Sequence, residues 1–260
     1  MKLCAIASGS SGNAFYIEDK KTGILIDAGL SMKQILKKMD EKLLNPGNLK
    51  GVFITHEHSD HIKGADVIAR HLNIPIYATK KTISNSSLIF SKAKINEILC
   101  DDEISIGKMK ITAFPKFHSA AEPVSYLVKG SNKKTAGIIT DIGHSCKRVS
   151  EAISDSDFLF LESNHDVEML EKGPYLPWHK KWILSNEGHL SNLQASLSVL
   201  AYAKQNLNGV VLSHLSKVNN TPALALKTFK NILKERSNFN PSLHVSVREV
   251  PTQVFELSTD

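Results

Sequence analysis

At 260 residues, with 42% apolar and 22% charged residues, the chain has the size and composition of a globular protein with a substantial core. No apolar run approaches the ~20 residues of a membrane span, and Lys2 followed by Leu3-Cys4-Ala5-Ile6-Ala7 is too short for a signal-peptide core, so no membrane role is expected. The balance of 32 basic to 26 acidic residues, net +6, suits a polyanionic partner or simply a lysine-rich surface; Cys4, Cys100 and Cys146 are odd in number and unpaired in spacing, which points to thiols in the cytoplasm.

In chain order, strands are expected over 2–7, 14–17 and 24–27, with the Ser8–Asn13 loop and a Lys20–Gly23 turn between them. Residues 31–44 carry a helical period, with Ser31 as N-cap and Pro46-Gly47 as the stop. A strand over 51–54 precedes a helix over 62–72. Pieces 104–106 and 109–114 pair around Gly107, and strands follow over 124–128, 136–140 and 157–161. A helix over 192–207 starts at Ser191, with Gln194 placed for a capping box and Gly209 beyond its end. Strand 210–213, a helix from Pro222, and strands 243–249 and 253–257 complete the chain. With no linker or low-complexity stretch, a single domain over 1–260 is expected, of α/β class with layered sheets covered by helices.

Thr55-His56-Glu57-His58-Ser59-Asp60-His61 carries the chemistry. Imidazole and carboxylate are the usual ligands of zinc and similar divalent ions. Leaving a strand, residues two apart project to one side, so His56 and His58 are placed to share one ion, while Asp60 and His61 turn elsewhere as a helix begins. The spacing suggests two metals. His118, Asp141, Glu162 and His214 each fall at or just beyond an apolar strand-like run, on the rim where sheets present binding groups.

With those residues the chain resembles the metallo-β-lactamase fold hydrolases. The histidine string is that superfamily's signature, Asp27-Ala28-Gly29 matches its early aspartate motif, and His118, Asp141 and His214 follow in order. Within it, Ser8–Asn13, Glu162-Ser163-Asn164-His165-Asp166, Gly188-His189-Leu190-Ser191-Asn192 and Ser213-His214-Leu215-Ser216 with Asn219-Asn220 are similar to the YycJ/WalJ group of bacterial nucleases. The resemblance implies a four-layer αββα sandwich of two mixed sheets with helices on both outer faces. It implies His56, His58 and His118 on a first ion, Asp60, His61 and His214 on a second, and Asp141 bridging them. Two such ions, roughly 3.5–4 Å apart, hold a bridging hydroxide and polarise a substrate oxygen. The ions expected are zinc or manganese, with iron as a third candidate.

Asp141 speaks against a β-lactamase, whose metals in this superfamily lack the bridging aspartate, but thioesterases and phosphodiesterases share it. The subgroup strings favour phosphodiester cleavage, with DNA ahead of RNA and exonuclease action. Asp60 is expected to orient the nucleophile or take its proton. His189, with Ser191 and Asn192 at a helix start, is expected to bind phosphate or protonate a leaving oxygen. Ser10 and Asn13 are candidates to lend amides to substrate, against the alternative of a plain tight loop. Asp27, Glu162, His165 and Asp166 are expected to orient the ligand imidazoles. Tyr175, Trp178 and Trp182 beside His179-Lys180-Lys181 suit either single-stranded nucleic acid or the packing of a loop. Two other readings remain: a thioester or small-ester hydrolase of glyoxalase II type, and a metal-binding regulatory protein with incidental hydrolysis. The oligomeric state is not legible.

Overall fold

A computed structural model of the chain describes residues 1–258, so the last two residues of the expected domain lie outside it. Its contacts divide it into two compact units that interleave along the sequence. Met1–Pro115, Ala120–Lys134 and the segment from Val247 onward form the first; Lys116–Ser119 and Thr135–Ser246 form the second. That division leaves no compositional trace, because each unit takes more than one stretch of chain and no long linker separates them.

The first unit opens with β1 (Lys2–Ala7), β2 (Ala14–Asp19) and β3 (Thr22–Ile26), an antiparallel meander. The β2–β3 loop is Lys20-Lys21 alone, both at positive φ (49° and 63°), the conformation that a two-residue hairpin turn requires. Helix α1 (Met32–Asp40) begins at Ser31 with a complete Ser31–Gln34 capping box. It stops short of the expected residue 44, because Leu43 turns to φ 55° and the Leu44 N–H bonds back to Met39 O. Strand β4 (Leu49–Phe53) lies parallel to β3.

The expected helix over 62–72 is two helices, α2 (Ser59–Ile62) and α3 (Ala65–Leu72). They part at Gly64, whose N–H bonds Ala28 O and whose missing Cβ would lie 2.1 Å from Leu30 O. Then come β5 (Ile76–Thr79), α4 (Lys80–Ser84) and β6 (Ile95–Ile98), in parallel register beyond β4, followed by the antiparallel ladder β7 (Glu103–Ile106), β8 (Met109–Pro115) and β9 (Val124–Lys129). Cys4, Ile6, Leu25, Val52, Ile68 and Ile76 belong to one buried cluster with residues of α1 and α3. Phe53 stacks on Tyr77 at 4.4 Å and meets Tyr126 of β9 edge-on at 5.7 Å, and the Tyr126 hydroxyl donates to Ile54 O at 2.7 Å. The β7–β9 ladder is thereby packed against β4.

The second unit is a run of parallel strand–helix repeats: β10 (Thr135–Ile139), α5 (Lys147–Asp155), β11 (Phe158–Glu162), α6 (Val167–Lys172), α7 (Pro177–Ile183), α8 (Asn192–Tyr202), β12 (Gly209–Ser213), α9 (Pro222–Leu233) and β13 (Ser242–Val245). Strands β11 and β12 are buried along their whole length, as their unbroken apolar sequences require of central parallel strands. Helix α8 ends at Tyr202 and not at 207, and Gly209 begins β12 where a helix cap was expected. In the first unit β14 is only Phe255–Glu256, paired antiparallel to β1, against an expected 253–257. The strands make two mixed sheets accompanied by helices, the α/β class expected. No helix among the described residues is long and apolar enough to cross a membrane.

Candidate functional site

In the first unit the histidine string leaves β4 at Phe53 and enters α2 at Ser59. His56 Nε2 and His58 Nδ1 are 3.0 Å apart, close to the roughly 3.3 Å edge that two nitrogens make on a tetrahedral zinc with bonds of about 2.05 Å. The His56 and His61 rings lie 4.0 Å apart between centroids, and His61 Nε2 is 3.4 Å from Asp60 Oδ2. Asp27 organises this group. It stands one residue past β3 at φ 61°, fully buried, where its carboxylate accepts from the Thr55 N–H (2.8 Å) and the Thr55 hydroxyl and takes the His61 Nδ1 proton at 2.7 Å. Holding Nδ1 as the donor turns the lone pair of His61 to Nε2, the atom beside Asp60. The same Thr55 hydroxyl lies 2.9 Å from His56 Nδ1, so one side chain steadies both imidazoles.

Backbone approach fixes the rest. The Asn13 N–H donates to Asp60 O, the Ala28 N–H to His61 O, and a Cβ on Gly29 would lie 1.6 Å from Asp60 O. Asn13 has a different place from the one expected. It is fully buried, its N–H serves Asp60 O, and its side chain closes the Gly9 loop and donates to Asp60 Oδ2 at 3.3 Å. Those groups are engaged inside the protein and not presented to a substrate. Ser10 is exposed on that loop.

In the second unit the corresponding residues come from strand ends far apart in sequence. Asp141 (φ 55°) follows β10, Glu162 ends β11, and His214 (φ 56°) follows β12. Backbone in this region is costly for non-glycine residues and recurs at functional sites. Glu162 is fully buried and accepts four hydrogen bonds: His189 Nδ1 at 2.8 Å and His214 Nδ1 at 3.0 Å on Oε1, Ile142 N at 2.8 Å and Leu190 N at 3.2 Å on Oε2. Burial works against its charge, yet the adjacent His189 and the imidazole hydrogen bonds prevail and hold the carboxyl well below the usual carboxylate range. A carboxylate offers about four acceptor positions, so Glu162 is saturated as an orienting group.

His214 is left with Nε2 facing Asp141 Oδ1 at 3.3 Å, and the Asn164 amide donates to its backbone carbonyl at 2.9 Å. His118 Nδ1 donates to Gly188 O at 3.2 Å, which leaves its Nε2 4.0 Å from Asp141 Oδ1. Burial lowers the His118 pKa to about 3, so its imidazole is neutral and able to ligate. The His189 ring lies 5.2 Å from those of both His118 and His214. Asp141, Glu162, His189 and His214 bring ligand atoms within 4.8 Å of one another. A neutral His118 imidazole and an ionised Glu162 carboxylate, with His118, His189 and His214 each pinned through Nδ1, belong to a donor set that fits divalent metal ions.

Other expectations change here. Asp166 caps α6, accepting from the Met169 N–H at 3.0 Å, and orients no imidazole. His165 is fully buried with neither ring nitrogen hydrogen-bonded among the described residues, and burial lowers its pKa to about 4, so it too orients no ligand. Ser191 caps α8 through a full capping box with Gln194. Asn192 is buried, bonded to Ser163 Oγ at 2.5 Å and to Asn220, which ties the α8 start to the end of β11. Sequence reasoning missed Thr55, Asn164 and Asn220 as organisers. Thr55 lies inside the histidine string and the two asparagines inside the subgroup strings, which is the only signal they gave.

The sequence profile described as a beta-lactamase superfamily domain matches residues 22–215. Exodeoxyribonuclease YycJ of Bacillus anthracis is 36% identical over 240 residues, covering 91% of this chain and 90% of its own. Exodeoxyribonuclease WalJ of Streptococcus pneumoniae is likewise 36% identical, over 90% and 88%. Among solved structures the metallo-β-lactamase fold protein YhfI of Bacillus subtilis superposes with a TM-score of 0.72 over 96% of this chain and 98% of that one, at 15% identity, which shows the fold. With that profile, those relatives and a divalent-metal donor cluster in the second unit, the chain belongs to the metallo-β-lactamase superfamily and is a hydrolase of that fold.

Proposed function

We propose that this chain is a dinuclear metal-dependent phosphodiesterase that degrades DNA as an exonuclease in the cytoplasm. One observation carries the reading. His189 is locked by its Nδ1 onto buried Glu162 at 2.8 Å while remaining part-exposed. A histidine so held keeps Nε2 for a ligand and is positioned to deliver a proton as a general acid. A sugar alkoxide leaving from phosphorus needs a proton. A thiolate, whose conjugate thiol has a pKa of about 8.5, leaves without one. The acid therefore favours phosphodiester over thioester substrates, in line with the exodeoxyribonuclease names of the YycJ and WalJ relatives.

The residues assigned to the first ion, zinc or manganese, are His56, His58 and His118, those to the second Asp60, His61 and His214, with Asp141 shared. Bound there, the ions would acidify water and neutralise charge on the phosphate. Asp60 takes the proton of the attacking water on its carboxylate. Asp27 and Glu162 keep His61 and His214 in the tautomers that ligation needs, and His189 delivers a proton to the departing oxygen.

End-labelled DNA and RNA, bis-p-nitrophenyl phosphate and a glutathione thioester, each offered with Mn²⁺ or Zn²⁺, test the reading. DNA hydrolysis that depends on metal and falls about 10²- to 10⁴-fold in His189→Ala is the expected result. Thioester turnover with inert phosphodiesters would replace it by the glyoxalase II type reading. Hydrolysis of nothing, with an intact cellular role in metal-free His58→Ala, would make the protein a regulator.

A further inference from the structure

Both tryptophans of the chain, Trp178 and Trp182, lie on the seven-residue helix α7, and they differ in what holds them. Trp182 is anchored, its indole N–H donating to Ser119 Oγ at 2.9 Å and its ring edge-on to His189 at 5.5 Å. Trp178 is 68% exposed. Packing of a loop accounts for the first and not for the second.

The rings between them are continuous. His179 stacks on Tyr175 at 4.5 Å and 17° and on Trp178 at 5.3 Å and 21°, and it meets Trp182 at 5.8 Å. A row of aromatic rings, stacked at Tyr175, His179 and Trp178 and turned edge-on between Trp182 and His189, thus runs from solvent at Trp178 to His189. The row is rigidly joined to that histidine. The His189 N–H donates to Ile183 O at 3.0 Å, and a Cβ on Gly188 would lie 2.2 Å from Ile183 O and 2.3 Å from Trp182 O. Lys180 and Lys181 on the same helix supply positive charge, Lys180 fixed through Glu171 O at 2.7 Å.

Resting on the phosphodiesterase reading, we infer that α7 is a stacking platform for the bases of a single-stranded nucleic-acid end, which leads the terminal phosphodiester to His189. Unpaired bases expose the π-faces that such rings accept, whereas a duplex buries them against each other. Lysines beside the rings neutralise the phosphates that the stacked bases bring with them. Exposed Trp178 takes a base a few nucleotides from the scissile bond, and substrates enter as single strands or frayed ends.

The holoprotein is titrated with a short single strand carrying phosphorothioate linkages, followed by tryptophan fluorescence, and with the same strand bearing an abasic site at successive positions. Binding is expected to quench fluorescence and to weaken about 5- to 150-fold in Trp178→Ala, the range that base–aromatic stacking supplies. Trp178→Phe restores it. One abasic position is expected to weaken wild-type binding without further weakening Trp178→Ala, and blunt duplex binding is the same in both proteins. Equal affinity of Trp178→Ala, or equal losses on base-bearing and abasic strands, would overturn the platform. So would an equal loss on duplex, or quenching by no nucleic acid at all, the result expected of a protein-docking surface. Hydrolysis in parallel separates the two readings. DNA cleavage indifferent to Trp178 removes the platform and keeps the nuclease. Trp178-dependent strand binding without cleavage removes the nuclease and keeps the platform.

Discussion

Each unit fixes imidazoles with one buried carboxylate, but the two clusters are assembled in opposite ways. Asp27 orients His61 inside a string where the imidazoles lie within six residues, and the string is clamped by the Ala28-Gly29 backbone and Asn13. Glu162 orients His189 and His214, which arrive from different crossover connections and meet only because parallel strands β11 and β12 end side by side. The first cluster has rigidity from local chain geometry; the second has it from sheet register. The first should therefore fail through backbone strain and the second through loss of a single polar hub.

Gly29→Ala should be the most disruptive substitution. The added methyl collides with Asp60 O, and no flexible side chain is there to yield. Overpacking typically costs about 1–3 kcal/mol and more where, as here, only backbone could yield, so the variant should melt far lower or lose bound metal, read by calorimetry and metal analysis. Gly188→Ala, against Ile183 O and Trp182 O, should fall nearly as hard if the second cluster depends on backbone as well.

Glu162→Gln comes next. An amide offers two fewer acceptor positions and a donor where four N–H groups converge, so about 3–5 kcal/mol of stability should go, typical of breaking a buried charged network. Its signature in the protein that remains is kinetic. With His189 no longer held by a carboxylate, kcat should fall about 10²-fold or more. Asp27→Asn should instead lower metal affinity about 10- to 100-fold and leave kcat at saturating metal in place. A comparable kcat loss in Asp27→Asn at saturating metal would show that the two carboxylates are not specialised.

The second unit should also make stability depend on pH. His165 has a folded pKa near 4 against an ordinary value of about 6.5. Between those values the unfolded chain binds a proton that the native state refuses. Stability from this group is whole above about pH 6.5, declines as pH falls, and levels off below about 4. Urea titrations should show that slope, roughly 1.4 kcal/mol per pH unit at its steepest, and His165→Met should flatten it. The same variant gives the smallest effect at neutral pH. Removing an imidazole whose nitrogens have no hydrogen-bond partner among the described residues should leave stability unchanged or slightly higher. A loss above about 2 kcal/mol would reveal a partner for His165 beyond the described residues.

Much of the fold was legible. The Ser31 and Ser191 capping boxes, Pro222 at a helix start and the paired strands about Gly107 appear where the residues placed them. Errors gathered at ends set by tertiary contacts. The break at Gly64 is made by Leu30 O, and α8 stops at Tyr202 although its apolar pattern continues. Helices α4, α5, α6 and α7 and strands β5 and β6 were not anticipated. Most span only four to seven residues, which gives periodicity little room to speak, and nine-residue α5 has no side-chain cap at Cys146 to mark its start.

By itself the sequence determined the metal-donor chemistry and the superfamily, because ligand type and close spacing are local properties that no packing can rewrite. It also placed His118, Asp141, Glu162 and His214 at strand ends, since apolar runs mark strands. Only the tertiary structure decided who serves whom. Glu162 became the hub for His189 and His214, Asp166 a helix cap, Asn13 a loop clasp and His165 a buried neutral ring. The physical reason is that an imidazole or carboxylate looks the same in sequence whatever it touches, and which partner it meets is set by register, crossover and close backbone approach.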